Sequence, residues 1–493
     1  MKPTTFLLFG FLLLAFKVSA QSYSGKLIDA KTKNPIPYAT IQYNINEGVV
    51  TNEEGNFSFS LASNSKLDSI YISSMGYEKT GFSFSQFNDS IIALKPKAIN
   101  LSGVYVFDKN LEVDEIIEKT IENLEKNHSP TTTKKRFFLR QSDHTVMQKV
   151  TVDFEKSTIA EINKAFIDSA ISTFPRKYAY YTETLGDYYQ KKDDDFSAKL
   201  EVVKAAELYD KSQEISFESF GERMEEILEK RLKKDSYLKI KSGWFGTKVQ
   251  VDSIFEASDT TNTEERVTDT YLLDNRKQNL KNLHERLFSK DYALDVLQKH
   301  KRYDFEIVGF TDIEDLGVYV IDFKSKGKGE FNGTLYINVD DFGVVRIDYE
   351  NIKSVKKFKL LGFSFNQHTY NGSMVYTKTP SGTYTLKFAR HNNGSKFGVD
   401  RPLKIVEKNK FVKGRRKQNE LKLNLDIIQT QYSTNELVVF AVENSNLELY
   451  NGVIEDKNIE AVYLPAYDPN FWSGYNIIEP NQAIKEFTIE DAE

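Results

Sequence analysis

Short runs of alternating hydrophobic and polar residues fill residues 21–107. The run from Phe57 to Leu61 is one example, and residues that favour turns separate it from its neighbours. Alternation with a period of two places every second side chain on the same face of a β-strand. The pattern predicts a small antiparallel β-sandwich, and its candidate turn residues are Gly25, Gly55 and Gly76.

The period of the hydrophobic pattern changes after residue 107. Apolar residues at helical spacing predict amphipathic helices over residues 113–124, 217–233 and 278–300. Alternation returns over residues 303–432 and predicts consecutive antiparallel strands. We therefore expect a mainly β chain, in which residues 108–493 form an α+β domain with one large curved antiparallel sheet covered by amphipathic helices.

The first 20 residues have the three parts of a signal peptide. Lys2 supplies a positive charge, residues 6–16 form an apolar core, and Val18-Ser19-Ala20 supplies small side chains. This core is shorter than the roughly 20 residues that cross a bilayer. We expect cleavage between Ala20 and Gln21, and an exported mature chain without a transmembrane segment.

Three motifs of the predicted sandwich carry a family resemblance. They are Gly25-Lys-Leu-Ile-Asp29 with Pro35-Ile-Pro37-Tyr-Ala39, then Thr51-Asn-Glu-Glu-Gly55-Asn-Phe57, then Ile72-Ser-Ser-Met-Gly76-Tyr77. Together they resemble the carboxypeptidase regulatory-like domain, although Asn52 stands where that hairpin usually has Asp. The resemblance implies a transthyretin-like sandwich at the front of an exported envelope protein of Bacteroidetes type. It implies no peptidase activity, because the family takes its name from an accessory domain.

A second, weak resemblance covers a short part of the predicted large sheet. The strand Gly333-Thr-Leu-Tyr-Ile-Asn338, an acidic turn and Val345-Arg-Ile-Asp348 resemble the repeated hairpin of lipoprotein-carrier half-barrels. The turn between them is Asp-Asp-Phe-Gly, in which Gly343 is expected at positive φ.

Composition excludes several classes of function. The chain has 66 Lys and Arg against 71 Asp and Glu, and its net charge of −5 argues against a nucleic-acid partner. It contains no Cys, which excludes thiol nucleophiles, disulfides and an acylated N-terminal cysteine.

No spacing of residues predicts a catalytic, metal or cofactor site. The chain has six His, and none belongs to a His-Glu-x-x-His pair. His284 and His300 are expected on the solvated faces of helices. The basic residues between Lys408 and Lys417 are interpreted as a solvated turn between strands, with contact to anionic lipid or polysaccharide as the alternative.

These observations favour a non-enzymatic envelope protein of the periplasm or the outer membrane. Its expected partner is an envelope protein, a glycan or a lipid-like apolar ligand held by aromatic-rich strands. The alternative is a hydrolase with a carboxylate site in the large domain. An outer-membrane transporter is disfavoured, because helices follow the sandwich.

Overall fold

The chain divides into two compact units, Met1–Ile99 with Asp468–Glu486, and Asn100–Tyr467 with Phe487–Glu493. The computed structural model describes residues 20–44, 47–62, 69–83, 90–97, 111–192, 197–233, 235–243, 245–251, 271–313, 316–409, 411, 413 and 416–488. Residues 1–19 of the expected signal peptide and the expected domain junction at 107–108 lie outside this set. Cleavage after Ala20 and the junction therefore stay predictions.

Two sheets form the first unit. Their strands are β1 (Ala20–Asp29), β2 (Thr40–Asn44), β3 (Glu47–Val50), β4 (Asn56–Ala62), β5 (Ser69–Ser73), β6 (Thr80–Ser83) and β7 (Ser90–Leu94). One sheet has the order β4-β1-β7, and the other has the order β3-β2-β5-β6. Alternate side chains of both sheets, such as Leu27, Ile41 and Phe57, meet in one buried core. The predicted sandwich is confirmed, but the expectation that it is wholly antiparallel is wrong, because β1 pairs with β7 in parallel.

The three candidate turn glycines do not share one environment. Gly55 and Gly76 have φ of +78° and +79°, in the left-handed region that favours glycine. Gly25 lies inside β1, where it pairs with Phe57 on one side and with Ser90 on the other. The prediction of a turn at Gly25 is therefore wrong, because strand pairing on both sides holds this residue extended.

The segment Asp468–Glu486 contacts the sandwich through polar groups. The Asn476 amide donates to the Tyr43 hydroxyl at 2.5 Å and accepts from the Ser60 N–H at 3.1 Å. The Asn52 amide donates to the Pro480 carbonyl at 3.2 Å. A short helix, Gln482–Lys485, follows these contacts. Residues far apart in sequence thus complete the first unit, which the alternation pattern does not predict.

The second unit is one large sheet with helices on it. Its elements, in chain order, are α1 (Val113–Glu122), α2 (Leu124–His128), β8 (Thr133–Ser157), α3 (Lys164–Thr173), β9 (Lys177–Gln190), β10 (Ala198–Tyr209), α4 (Lys211–Arg231), β11 (Ser236–Ser242), β12 (Phe245–Gln250), α5 (Tyr271–Glu285), a 3-10 turn (His300–Arg302), β13 (Tyr303–Ile313), β14 (Leu316–Ser325), β15 (Phe331–Asn338), β16 (Val344–Asn351), β17 (Lys356–Leu360), β18 (Phe363–Lys378), β19 (Tyr384–Asn409), β20 (Lys417–Asn444), α6 (Leu447–Gly452) and β21 (Val462–Leu464).

Among the described residues, the sheet has 14 strands, and its main path is β13-β14-β15-β16-β18-β19-β20-β8-β9-β10-β21. Strands β11 and β12 extend from β19, and β17 pairs with β18. Helix α3 contacts β8, while α5 contacts β10 and β19. Phe166 of α3 and Leu238 of β11 form a buried apolar cluster with Leu423 of β20, and side chains of α4 pack against it. The predicted fold class is confirmed.

Two local predictions fail. The helix expected over residues 278–300 ends at Glu285, and the Ser289 hydroxyl accepts from the Asp291 N–H at 3.2 Å. Such a local turn competes with helical hydrogen bonding. In the hairpin before β16, the positive φ of 61° belongs to Phe342 instead of Gly343. Within the described part of the chain, no helix is both long enough and apolar enough to cross a membrane.

Candidate functional site

A cavity of about 430 Å³ opens in the second unit between α2, α5 and the end of the β18–β19 hairpin. Its volume lies in the range of about 300–1,000 Å³ that is usual for small-molecule sites. The lining residues come from five separate parts of the chain: His128, Ser129, Pro130, Thr131, Gln190, Lys281, His284, Glu285, Phe288, Ser289, Asp291, Tyr292, Tyr376, Tyr384, Thr385 and Leu386.

Helix α5 supplies one wall through Lys281, His284 and Glu285. Residues three and four apart lie on the same face of a helix, so these side chains reach the cavity together. The His284 Nδ1 lies 2.8 Å from the Leu280 carbonyl, and its Nε2 lies 3.0 Å from the Tyr188 hydroxyl. Because a carbonyl only accepts, Nδ1 carries the proton and Nε2 accepts from Tyr188. The expectation of a solvated His284 is wrong, since both ring nitrogens are bonded inside the protein.

Burial sets the charge of the groups behind this wall. Burial first, and the nearby Lys135 ammonium second, lower the pKa of His284 to about 3, so the ring is neutral at physiological pH. Lys135 is itself 1% exposed, and burial lowers its pKa to about 7. Its ammonium donates to Oε1 of Gln190 at 2.6 Å and lies 5.0 Å from the centre of the Tyr188 ring.

The hairpin between β15 and β16 positions the opposite wall. The His128 Nε2 accepts from the Val344 N–H at 3.0 Å, and the Asn127 amide donates to the Asp341 carbonyl at 2.8 Å. The Asp341 carboxylate in turn accepts from the Tyr384 hydroxyl at 3.0 Å and pairs with Lys378 at 2.8 Å. Burial acts to raise the pKa of Asp341, but these hydrogen-bond and ion-pair partners outweigh it and lower that pKa.

His128 presents a buried donor without a partner. Burial lowers its pKa to about 3 despite the opposing charge of Asp341, so the ring is neutral. Since Nε2 accepts from Val344, the ring proton must be on Nδ1. Among the described residues, this Nδ1 has no hydrogen-bond partner. This nitrogen exposes less than 1 Å² to solvent, and an unsatisfied buried donor costs about 1–3 kcal/mol.

Aromatic rings surround His128. Phe288 lies 4.5 Å from it between ring centres, and Tyr376 and Tyr384 each lie 5.3 Å from it. Phe288 and Tyr376 also contact one another at 5.5 Å. Three rings, from the turn after α5 and from β18 and β19, therefore form an aromatic surface on the cavity wall.

A buried arginine, Arg286, lies against Tyr292. The guanidinium of Arg286 is 5.5 Å from the Tyr292 ring, and Arg286 is 7% exposed. It donates to the Tyr370 hydroxyl at 2.6 Å and to Nε2 of His391 at 3.0 Å. Burial, aided by Arg286, holds the pKa of His391 well below its usual value. Neutral partners thus surround this cation in the described structure.

The acidic side chains of the cavity are not arranged as a metal site. Glu285 lies 3.8 Å from the Lys281 ammonium, and Asp291 is exposed at the rim. Within the described residues, no group of three or more His, Cys, Asp or Glu has the spacing to hold a metal ion.

The turn and cleavage residues predicted from the sequence do not line this cavity, whereas His284 lines it in spite of the solvated position expected for it. Gly25, Gly55 and Gly76 belong to the first unit, and Ala20 and Gln21 begin β1. The sequence analysis missed His128, Phe288 and Tyr384 as cavity residues. Gly343, which the sequence analysis did name, is linked to the cavity indirectly. Its missing side chain makes room for the Tyr384 ring, which a Cβ at residue 343 would overlap.

Comparison with protein families confirms the N-terminal resemblance. Residues 23–106 match the family model of the CarboxypepD_reg-like domain, which is the carboxypeptidase regulatory-like domain. The matched segment contains all three motifs, and its residues 23–99 belong to the first unit. The comparison with curated proteins found no significant match.

Solved structures give only distant similarities to the chain. A LolA superfamily protein from Nitrosomonas europaea is 8% identical, with 69% of this chain and 97% of that chain covered and a TM-score of 0.18. The complex of MucA and MucB from Pseudomonas aeruginosa gives 7% identity, 69% and 96% coverage and a TM-score of 0.15. A DUF1329 family protein from Desulfovibrio piger gives 9% identity, 64% and 92% coverage and a TM-score of 0.16. TM-scores of this size carry no argument about function.

Proposed function

We propose that this chain is a non-enzymatic, exported envelope protein whose large domain binds a small ligand in the cavity. The ligand has an apolar body and a polar end that accepts hydrogen bonds. The observation that carries the proposal is the aromatic wall around His128, where Phe288, Tyr376 and Tyr384 meet one unpartnered Nδ1–H.

The chemistry of this wall favours binding over reaction. Aromatic surface gains free energy when an apolar molecule removes it from water. An acceptor on such a molecule that displaces the neighbouring rings enough to reach the buried Nδ1–H of His128 recovers the cost of that unsatisfied donor. The low pKa of His128 keeps the ring neutral and unable to accept a further proton at neutral pH. A long-chain fatty acid combines both features and is the probe that we choose.

The experiment compares two substitutions at Ser289, which lines the cavity. Ser289→Phe fills the cavity, whereas Ser289→Ala leaves it open. We expect the mature wild-type protein and Ser289→Ala to bind a fluorescent fatty acid, and Ser289→Phe to bind it about tenfold more weakly or worse. Equal affinity for the Phe variant, or no binding by the wild type, overturns the proposal.

A hydrolase is the second candidate, because Glu285 and Asp291 both line the cavity. The pairing of Glu285 with Lys281 and the exposure of Asp291 disfavour it. Turnover of ester or glycoside libraries that is lost in Glu285→Gln or Asp291→Asn would favour the hydrolase.

Export is supported by the expected signal peptide. We expect the N-terminal sequence of protein from fractionated cells to begin at Gln21. A retained Met1 would contradict export by this route.

A further inference from the structure

The tip of the β17–β18 hairpin displays large apolar side chains to solvent. We call residues 356–363 the β17 tip. Phe358, Leu360 and Leu361 are 52%, 63% and 54% exposed, and every residue of β17 is exposed. Single exposed apolar residues are common on protein surfaces, whereas a contiguous group indicates an interaction site.

The apolar surface continues from the tip across two further strands. Phe358 pairs with Phe365 of β18, and Phe365 pairs with Phe397 of β19, so the three rings share one face of the sheet. The rings of Phe358 and Phe365 stack at 5.9 Å, and Phe397 is 41% exposed. The group is therefore a continuous patch on one face.

The β17 tip is also basic. Lys356, Lys357 and Lys359 are exposed along the whole of β17. The tip therefore combines apolar groups with ammonium groups that are available to external anions.

The backbone of the tip is fixed. The turn residues Leu361 and Gly362 have φ of 49° and 81°, as in a tight hairpin turn. The Gly362 carbonyl accepts from the Asp400 N–H at 2.7 Å, and the Arg401 guanidinium donates to the Leu361 carbonyl. Arg401 also lies 4.8 Å from the centre of the Phe363 ring. The apolar side chains are therefore presented by an ordered turn, so that little backbone entropy is lost when they are buried.

We propose that the β17 tip docks onto the surface of an anionic lipid bilayer. Phe358, Leu360 and Leu361 enter the boundary between headgroups and acyl chains, and the three lysines contact lipid phosphates. A protein strand added to the edge of β17 is the competing occupant. Lysines along an edge strand discourage such pairing, whereas they favour an anionic membrane. This inference is independent of the ligand proposed for the cavity.

The experiment measures binding of the full mature chain to vesicles. We expect binding to vesicles of phosphatidylcholine with phosphatidylglycerol, and little binding to phosphatidylcholine alone. Leu360→Ser/Leu361→Ser should weaken binding about tenfold or more, since burying part of one leucine is worth that much. Lys356→Gln/Lys357→Gln/Lys359→Gln should remove the preference for the anionic lipid.

The matched control is Leu447→Ser/Leu449→Ser in α6. These leucines are each 57% exposed but lie outside the patch, so binding should not change. Thermal melting of all variants checks that they fold. The proposal is overturned if the wild type does not bind anionic vesicles. It is also overturned if Leu360→Ser/Leu361→Ser binds them as strongly as the control and the wild type do. A concentration-dependent dimer that is lost in the tip variants would assign the patch to a second copy of the chain instead.

Discussion

Gly343 lies against the ring of Tyr384, and any Cβ at residue 343 would overlap the ring carbons. Tyr384 stacks on His128 at 5.3 Å and donates to the Asp341 carboxylate. One glycine therefore lets the β15–β16 hairpin approach the ring that forms a wall of the cavity.

Gly343→Ala should destabilise the protein by about 1–3 kcal/mol, because the ring of Tyr384 must move to make room. It should also weaken binding of the fatty-acid probe, because Tyr384 lines the cavity. Urea unfolding measures the first effect, and probe titration measures the second.

The control is Gly221→Ala in α4. Gly221 is exposed, and no atom lies within 4 Å of a Cβ placed there. Alanine favours a helix, so this variant should gain about 0.5–1 kcal/mol. Equal effects of the two substitutions would contradict the role assigned to Gly343.

Lys135 should make stability depend on pH in the alkaline range. Burial lowers its pKa from 10.5 to about 7 in the folded state. Between these values the unfolded chain holds the proton more than the folded protein does, so stability rises with pH. The slope is at most about 1.4 kcal/mol per pH unit. In Lys135→Met the rise of stability with pH that Lys135 causes should be absent. The measurement is the free energy of unfolding in urea at several pH values between about 7 and 10.5.

Lys134→Met is the matched control from the adjacent position. Burial acts to lower the pKa of Lys134, but the Asp187 carboxylate outweighs it and raises that pKa. A raised pKa contributes stability that is lost only above the usual value of 10.5, so this variant should keep the wild-type slope below that value. If Lys135→Met also keeps it, Lys135 is not buried as described.

Arg140 should be essential to the stability of the large sheet. Its side chain is 2% exposed and pairs with Glu183, which is 3% exposed, at 2.6 Å. Arg140→Met leaves Glu183 buried without this cation and should cost about 3–5 kcal/mol. The control is Arg231→Met, which removes an exposed pair with Glu161 and should lower the denaturant midpoint far less, because water screens that pair. Denaturant midpoints that fall equally would contradict the assignment.

The two left-handed glycines of the first unit should differ in their tolerance of alanine. A Cβ at Gly55 would overlap the Leu27 carbonyl, whereas no atom lies within 4 Å at Gly76. Gly76→Ala should cost about 1 kcal/mol from backbone strain alone, and Gly55→Ala should cost more. Thermal unfolding of the full chain is the appropriate measurement, since Asp468–Glu486 belongs to the same unit. A larger loss at Gly76 would contradict the geometry.

The sequence predicts the fold better than its details. Alternation reveals strands because one face of each sheet is buried, as it is for Ile70 and Ile72 in β5. Helix ends depend on tertiary contacts, and the apolar spacing of Leu287 and Leu297 continues past the end of α5. The same contacts decide that His284 bonds to Tyr188 instead of water.

The cavity itself is beyond prediction from spacing. The register of the large sheet brings Gln190 of β9 near Tyr384 of β19, and His128 joins them from α2, although the three are far apart in the chain. No short motif records that register.

A crystal structure of the mature chain grown with the fatty-acid probe tests the central claim most directly. The account predicts that the bound probe lies in the cavity beside Phe288 and Tyr384, with its carboxylate within hydrogen-bond distance of Nδ1 of His128. An empty cavity with the probe bound at another surface would contradict the claim.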